Sequence, residues 1–373
     1  MERRAFLRAG MSVSLLGLSG TRTAHARPPR AITAQTASSI RLSSNENPLG
    51  IAPAARDAII RGLDEANRYP RLRAELHEVL AGKLGVTTRN VVLGAGSTEV
   101  LKLAVEAFAG SPGTLVLASP TYEDAEWYAS VEGIRVEKVP LRADYSHDIP
   151  AMHALAARLQ GPVCVYLCNP NNPTGTVTSS AEIDDWIGTA PDHVSFLVDE
   201  AYIDFVEDPG YHSALPWIDR KPNVLVARTF SKVHGMAGVR LGYGLVHEDA
   251  VESLRRRQVR NNANHLALVA GLASLESDEF VAQSLRVNRH GREIACACFR
   301  ELGLEYLPSQ TNFVMHRIGG DLRTHITRMR EHGFQVGRPF PPMLEYNRVS
   351  IGLPEEMELF AETLRSFRQQ GWV

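Results

Sequence analysis

The sequence predicts an α/β fold: a large domain with a mostly parallel sheet flanked by helices, followed by a smaller α+β domain at the C-terminus. Three observations predict it. Five short apolar segments recur up to about residue 227, and each ends in small or polar residues. Helix-length segments such as 97–109 and 180–189 separate them. From about residue 249, long helical segments lead to only two further strand candidates. Nearly continuous apolar strands are typical of parallel sheets that are buried on both faces.

The composition narrows the class of protein. The 373 residues are 44% hydrophobic and 22% charged, as in an ordinary globular protein of two or three domains, or one large fold with an appendage. The formal net charge of −2 argues against a general nucleic-acid-binding protein, which carries a basic excess. No segment of about 18 apolar residues occurs, so the sequence predicts no stable membrane anchor. Four cysteines and unclustered histidines predict neither a disulfide framework nor a metal site.

The first residues predict an export signal peptide. Arg3 and Arg4 precede a short, weakly apolar stretch over residues 9–20, and Ala24-His25-Ala26 provides a small-residue cleavage site before Arg27. A basic start, an apolar middle and such a site are typical of bacterial export signals, and the paired arginines resemble the twin-arginine type. We therefore expect a periplasmic or secreted protein. The alternative is a cytoplasmic enzyme with a basic N-terminus.

The same patterns place the domain boundaries and the strands. The predicted segments are a signal peptide at 1–26, an N-terminal arm at 27–65, a large cofactor-binding domain at 66–255 and a small domain at 256–373. Strands of the large domain are predicted at 91–93, 115–117, 163–168, 196–198 and 224–227. The small domain has strand candidates at 313–315 and 348–351. Ligands of open parallel sheets bind beyond the carboxyl ends of the strands, so we expect the five loops there to form one site.

The loops after the first and last of these strands suggest an anion-binding site. Small residues at 94–98 follow a strand and open a helix, where backbone N–H groups and the helix dipole favour an anion. The same turn is equally compatible with a purely structural role. Lys232 follows the hydroxyl side chains of Thr229 and Ser231, with Arg240 eight residues further on. This arrangement suggests an anion held beside an amine.

The middle loops offer groups suited to a planar, cationic ring. Asp199 ends an apolar strand, where a carboxylate is desolvated unless a cation pairs with it. The alternative role for Asp199 is to cap the following helix. A protonated pyridine nitrogen would be such a cation. The ring of Tyr122 could stack on a planar group, and Asn172 and Tyr202 could form hydrogen bonds to a ring hydroxyl. Each could also be an ordinary loop residue.

Taken together, these residues give the chain a resemblance to a known family. From about residue 40 to the C-terminus it resembles the fold-type I pyridoxal-phosphate aminotransferases of class I and II, and within them the histidinol-phosphate aminotransferase branch. The matching stretches, in order, are residues 42–50, 67–70, 94–99, 120–122, 169–175, 199–202, 229–242, 311–313 and 348–352.

The resemblance implies pyridoxal 5'-phosphate as cofactor and a role for each site residue. Lys232 would be the Schiff-base lysine and proton carrier, Asp199 the partner of the pyridinium nitrogen and Tyr122 the ring-stacking residue. Asn172 and Tyr202 would donate to the ring hydroxyl oxygen. The phosphate would be held by Ala95, Gly96, Ser97, Thr229, Ser231 and Arg240.

The resemblance also implies an assembly and a substrate site. Tyr69 matches a tyrosine that reaches the cofactor phosphate of the neighbouring subunit, which implies a homodimer with shared active sites. Arg348 matches an arginine that clamps the substrate carboxylate, with Arg338 and Asn47 as further candidates for substrate binding.

The implied activity is transfer of an amino group between an amino acid, or an amine like histidinol phosphate, and a 2-oxo acid. A decarboxylase, a lyase or a cyclising synthase on the same scaffold is the alternative. A non-catalytic binding protein is disfavoured, because Lys232, Asp199 and Arg240 are all present. Two features favour a substrate outside the histidine pathway. Arg260-Asn261 stands where the branch usually has a proline and an aromatic residue, and export would separate the enzyme from the cytosolic intermediates of that pathway.

Overall fold

The computed structural model describes residues 39–373, so the predicted signal peptide and most of the predicted arm lie outside the described residues. The strands, in chain order, are β1 Ile40–Leu42, β2 Val91–Gly94, β3 Thr114–Ser119, β4 Arg135–Pro140, β5 Val163–Cys168, β6 Val194–Asp199, β7 Val224–Thr229, β8 Gly242–Val246, β9 Phe313–Arg317, β10 Phe334–Val336 and β11 Tyr346–Ser350. The helices are α1 Pro53–Gly62, α2 Arg73–Leu84, α3 Ser97–Phe108, α4 Asp124–Val131, α5 Ile149–Ala156, α6 Ser180–Thr189, α7 Glu248–Arg255, α8 His265–Leu275, α9 Asp278–Glu301, α10 Leu322–Glu331 and α11 Pro354–Gln369.

Seven strands form the central sheet in the order β2-β8-β7-β6-β5-β3-β4. Five of them, from β7 to β4, run parallel, and β8 is antiparallel to both of its neighbours. Every residue of β5 and β6 is buried, because apolar helices cover both faces of the sheet. The predicted α/β fold class with a mostly parallel sheet is confirmed.

Local sequence signals explain where several helices begin. Asp148 accepts a hydrogen bond from the Ala151 amide at 3.0 Å and caps α5, and Asn264 accepts one from Ala267 at 2.8 Å and caps α8. The start of α3 is different: its N-cap is Gly96 at φ 80, and no side chain caps it. The first turn of α3 is therefore open to a ligand.

The C-terminal part of the chain builds a second layer. β9 and β11 pair antiparallel, with Arg348 opposite Met315, and α9 and α11 pack on them through an aromatic core that includes Phe299 and Phe360. β1 at the start of the described chain pairs in parallel with β10, so residues 40–42 are docked beside the C-terminal strands. Residues 39–373 cluster as one unit, and the predicted boundaries at 65 and 255 stay predictions.

Candidate active site

A cavity of about 740 Å³ lies at the carboxyl ends of the parallel strands. Parallel strands bring their following loops to one edge of the sheet, and here the ends of β2, β3, β5, β6 and β7 meet β11 and the arm. The predicted residues that line this cavity are Ser97, Tyr122, Asn172, Asp199, Tyr202, Thr229, Ser231, Lys232, Arg240, Arg338 and Arg348.

Lys232 lies in the loop after β7, and its surroundings favour the neutral amine. Its Nζ donates to the backbone oxygen of Asn45 at 3.4 Å and lies 5.3 Å from the centre of the Tyr202 ring. Burial, together with the nearby cation of Arg348, lowers the pKa of Lys232 to about 8. Arg240 also lowers this pKa, but by less than Arg348 does. An amine of this kind is available as a nucleophile or base near neutral pH.

Asp199, the last residue of β6, is 2% exposed. Its carboxylate accepts hydrogen bonds from the Tyr166 hydroxyl at 2.9 Å and from the Ala201 amide at 3.1 Å. Burial nevertheless raises the pKa of Asp199 to about 6. The carboxylate is therefore stabilised by any cation that binds beside it, which is what a protonated ring nitrogen would do.

Another part of the cavity wall can hold an anion. The glycine at 96 allows the Arg240 guanidinium to lie against the backbone, since a Cβ atom there would be 2.2 Å from Arg240 Nη2. Arg240 also donates to the oxygens of Ala95 at 3.4 Å and of Ala237 at 3.1 Å. The hydroxyls of Thr229 and Ser231 are 2.9 Å apart beside it. A guanidinium and an open helix start together suit a phosphate.

Two predicted phosphate ligands, Ala95 and Gly96, use their backbone amides for other partners. The Ala95 amide donates to the Glu99 carboxylate at 2.6 Å, and Asn262 donates to the same oxygen at 2.6 Å. The Gly96 amide donates to the oxygen of Gly94. The amides at the start of α3, beginning with Ser97, therefore remain for a phosphate, while Glu99 holds the loop in shape.

These features fit pyridoxal phosphate, the cofactor that the resemblance implies. A buried carboxylate that needs a cation, an amine of lowered pKa, and a guanidinium that lies against the glycine at 96 all border the same cavity. Tyr122 lines the same cavity, and its hydroxyl donates to Asp124 at 2.7 Å. The site contains the kinds of group that the ring, aldehyde and phosphate of the cofactor require.

Arg338 and Arg348 line the side of the cavity nearer β10 and β11, and Arg330 of α10 also lines the cavity. Arg348 is 7% exposed and donates to Asn172 Oδ1 at 2.7 Å and to the oxygen of Ser43 at 2.9 Å. Its guanidinium carbon lies 4.6 Å from the centre of the Phe340 ring. Arg338 forms an ion pair with Glu123 and stacks on Phe340 at 4.3 Å.

Four predicted residues are absent from the lining of the cavity in the single chain: Ala95 and Gly96, which form the turn before Ser97, and also Asn47 and Tyr69. Asn47 donates to the oxygen of Val233 at 2.8 Å and to Ser284 Oγ at 2.9 Å, and accepts from the Leu49 amide at 3.0 Å, so its side chain holds the arm in place. Tyr69 is 81% exposed and lies beside a different cavity, together with Arg61 and Arg68. A role for Tyr69 in the site would require a second copy of the chain.

The structure adds residues that sequence reasoning missed. Asn45, rather than Asn47, lines the cavity, and its side chain donates to the Tyr202 hydroxyl at 3.0 Å. Tyr166 is the hydrogen-bond partner of Asp199. Glu123 lines the cavity opposite Arg338. The sequence gave a signal for Glu123, which is next to Tyr122, and for Asn45, which lies in the matching stretch 42–50, but none for Tyr166.

Replacing Gly96 by alanine is expected to weaken binding of pyridoxal phosphate at least about tenfold. The new methyl group would displace the Arg240 guanidinium, and the positive φ of 80° would strain any other residue. A hydrogen bond to a charged group contributes about 1.5–3 kcal/mol, and 1.4 kcal/mol is about tenfold. Titration of cofactor-free protein, followed by absorbance, measures the dissociation constant. Gly82→Ala in α2, where a Cβ meets nothing within 4 Å, is the matched control. Equal affinity of both variants for pyridoxal phosphate would contradict a phosphate site formed by Gly96 and Arg240.

The chain is similar to known proteins over most of its length. The family model "Aminotransferase class I and II" matches residues 37–364. The chain is 37% identical to a histidinol-phosphate aminotransferase of Moorella thermoacetica, over 87% of this chain and 84% of that one. It is 37% identical to histidinol-phosphate aminotransferase 2 of Pseudomonas fluorescens, over 92% of both chains. The crystal structure of histidinol-phosphate aminotransferase from Sinorhizobium meliloti in complex with pyridoxal-5'-phosphate is similar with a TM-score of 0.82, at 27% identity and over 88% and 92% of the two chains.

Proposed function

The chain belongs to the class I and II aminotransferase family and is a pyridoxal-phosphate-dependent aminotransferase, and from this we propose that its amino donor carries an anionic group that Arg348 binds. When bound, pyridoxal phosphate supplies an electron-withdrawing ring that accepts the electron pair left when the substrate Cα loses its proton. Everything else in the proposal concerns the side chains of this protein.

Lys232 and Asp199 would divide the proton chemistry between them. Lys232, with its lowered pKa, would accept the proton from the substrate Cα and hold it at its Nζ. Asp199 would keep a proton on the ring nitrogen, because its own carboxylate is buried and gains most from a cationic partner. Tyr122 would hold the ring in place from one side of the cavity.

The single observation that carries the donor proposal is the unpaired charge of Arg348. Its hydrogen-bond acceptors are the neutral oxygens of Asn172 and Ser43, and Nε has no partner. Within residues 39–373, no carboxylate forms an ion pair with it. Burial lowers the pKa of Arg348 to about 10, so a buried anion would relieve a charge that is otherwise poorly solvated. A carboxylate or a phosphate can both accept two hydrogen bonds from a guanidinium.

A donor panel tests the proposal. The purified enzyme with its cofactor is mixed with L-glutamate, histidinol phosphate and histidinol, and conversion of the cofactor is followed by absorbance. Histidinol is the matched control, because it lacks only the phosphate. We expect an anionic donor to convert the cofactor. If histidinol phosphate is a donor, we expect kcat/KM for histidinol to be at least about tenfold lower than for histidinol phosphate. Equal rates for these two would remove the basis for an anion site at Arg348.

The exposed surface around Tyr69 supports a homodimer with shared active sites. Ile60, Leu63 and Tyr69 are 50%, 56% and 81% exposed, and contiguous exposed apolar side chains are typical of interfaces. Light scattering should give the mass of two chains. If Tyr69 completes the partner's site, mixing Tyr69→Ala and Lys232→Ala protomers should restore activity, since each mixed dimer would have one intact site. Monomeric protein of full activity would overturn this part of the proposal.

Export through a twin-arginine-type signal is the remaining part of the proposal, and it depends on the sequence of residues 1–26 alone. We expect the mature protein in its native cell to begin near Arg27. Conversion of Arg3 and Arg4 to lysine should trap the precursor in the cytoplasm. N-terminal sequencing of protein from separated cell fractions measures this, and active cytosolic protein that retains Met1 would contradict export. No helix within the described part of the chain is long and apolar enough to cross a membrane.

A further inference from the structure

Asn45 lies where the arm meets both the cavity and β11. It is the third residue after β1, is 2% exposed and has φ 52. Positive φ is uncommon for residues other than glycine, although asparagine tolerates it better than most. Such unfavourable backbone conformations persist where several surrounding contacts hold them, and they are frequent at functional sites. The contacts of Asn45 show what this conformation achieves.

Three hydrogen bonds fix the direction of the Asn45 side chain. The Asn45 amide donates to Ser350 Oγ at 2.8 Å, and that hydroxyl in turn donates to Asn45 Oδ1 at 2.7 Å. Because the carboxamide oxygen faces Ser350, its nitrogen must face the other way. Asn45 Nδ2 donates to the Tyr202 hydroxyl oxygen at 3.0 Å. The amide orientation thus follows from the network around Ser350.

This bond decides which way the Tyr202 hydroxyl acts. A tyrosine hydroxyl has one proton to donate and can accept hydrogen bonds at its oxygen. Asn45 occupies the oxygen, and among residues 39–373 no protein group accepts the proton. Tyr202 is 3% exposed and lines the cavity, and burial raises its pKa well above the ordinary value, so the proton is retained. The hydroxyl is therefore available as a donor into the cavity.

The backbone of the same residue contacts the amine. Lys232 Nζ donates to the Asn45 oxygen at 3.4 Å, on the side where it also lies over the Tyr202 ring. Arg348 is bound by the arm as well, through the oxygen of Ser43. Residues 43–45 thus contact Arg348, the arginine proposed to bind the substrate, as well as Tyr202 and Lys232, the two groups that face the cofactor.

We infer that Asn45 is a positioning residue of the aminotransferase, which makes the Tyr202 hydroxyl a hydrogen-bond donor to the cofactor and holds the amine of Lys232 beside it. The inference depends on the aminotransferase chemistry of the family and not on the identity of the amino donor. It requires only that Tyr202 faces the ring hydroxyl, as the resemblance implies.

Two substitutions separate this role from a purely structural one. Asn45→Gly accepts the positive φ and removes the side chain. Asn45→Asp keeps the shape and the bond from Ser350, but it turns the donor to Tyr202 into an acceptor that attracts the Tyr202 proton. A positioning role therefore predicts that Asn45→Asp is the more damaging change, whereas a structural role predicts the reverse, because Asp is nearly isosteric with Asn.

The measurement is a pH titration of the visible absorption of the bound cofactor, together with kcat and KM. A hydrogen bond that Tyr202 donates to the ring oxygen of the cofactor favours the deprotonated form of that oxygen. Loss of this hydrogen bond should therefore raise the midpoint of the cofactor titration. We expect a rise of about one pH unit for Asn45→Asp and less for Asn45→Gly. We expect kcat to fall about tenfold for Asn45→Asp, with a smaller change in KM. In a Tyr202→Phe background, Asn45→Gly should shift the midpoint by less than about 0.3 unit further, because coupled residues are not additive.

The outcomes are distinct. A wild-type protein that shows no cofactor absorption would overturn the aminotransferase assignment, and the inference with it. Normal wild-type absorption, with unchanged midpoints in both variants or with effects that add to those of Tyr202→Phe, would overturn the role of Asn45 alone. If one of the two Asn45 variants does not fold, the other is measured alone and in the Tyr202→Phe background. Effects that are not additive support the role of Asn45, and additive effects overturn it.

Discussion

Replacing Lys232 by alanine is expected to lower kcat by on the order of 10⁴-fold or more. The structure provides one amine in the cavity, held by the Asn45 oxygen and shifted to a pKa of about 8 by burial and Arg348. No other lysine lines the cavity in the described part of the chain. General acid–base groups contribute about 10²–10⁴-fold, and Lys232 would also lose its covalent role. Turnover with the best donor and a 2-oxo acid measures the effect.

The variant should still bind pyridoxal phosphate, because Arg240 and the start of α3 are unchanged. Lys138→Ala is the matched control. That lysine lies on the edge strand β4, where it pairs with Glu126 at 2.6 Å, and exposed ion pairs contribute little to stability. The control should keep wild-type activity. Activity of the Lys232→Ala variant within tenfold of wild type would show that another group moves the proton.

Replacing Arg348 by alanine is expected to lower kcat/KM for an anionic donor by on the order of 10²-fold or more. Each hydrogen bond between charged groups contributes about 1.5–3 kcal/mol, and 1.36 kcal/mol corresponds to about tenfold in rate. The absorption of the bound cofactor should change little. In cofactor-free protein, loss of this neighbouring cation should raise the pKa of Lys232 above about 8, so that acylation of its amine at pH 8 becomes slower.

Two further variants complete the test of Arg348. Arg348→Lys keeps the charge but not the paired donors, so it should recover only part of the activity. Arg317→Ala is the matched control, because Arg317 lies on the adjacent strand β9, is half-exposed and pairs with Glu305 and Glu345 outside the cavity. If Arg348→Ala leaves every donor unaffected, the anion is bound elsewhere, and Arg338 is the next candidate.

The sequence predicted the buried strands and missed the less regular ones. β5 and β6 are apolar and buried along their whole length, so their composition alone identifies them. β4 lies at the edge of the sheet, and with Val139 as its one buried residue its pattern of Arg, Glu and Lys resembles a surface loop. β8 begins with Gly-Tyr-Gly, because an added Cβ on Gly242 would lie 2.2 Å from the Ser97 amide nitrogen. Close packing against α3, rather than strand propensity, determines that segment.

The residues of the site also fall into those that the sequence predicted and those that it missed. Asp199 ends β6 and Lys232 lies three residues after β7, so the topology of a parallel sheet places them at the cavity. Asn45 and Asn47 lie in one matching stretch, and their roles depend on bonds to residues far away in the chain, such as Ser350 and Val233. A local pattern cannot distinguish which of the two faces the cavity. Tyr166 was missed for a similar reason, since it lies inside an apolar strand and only the pairing of β5 with β6 brings it to Asp199.

The most direct test of the central claim is to reduce the purified protein with borohydride and map the modified peptide by mass spectrometry. The Schiff base that the resemblance implies would then be fixed as a stable bond. The account predicts one modified lysine, Lys232, with the mass of the cofactor attached, and no such adduct in the Lys232→Ala variant. Cofactor fixed to a different lysine, or a protein that retains no cofactor and still transfers amino groups, would contradict it.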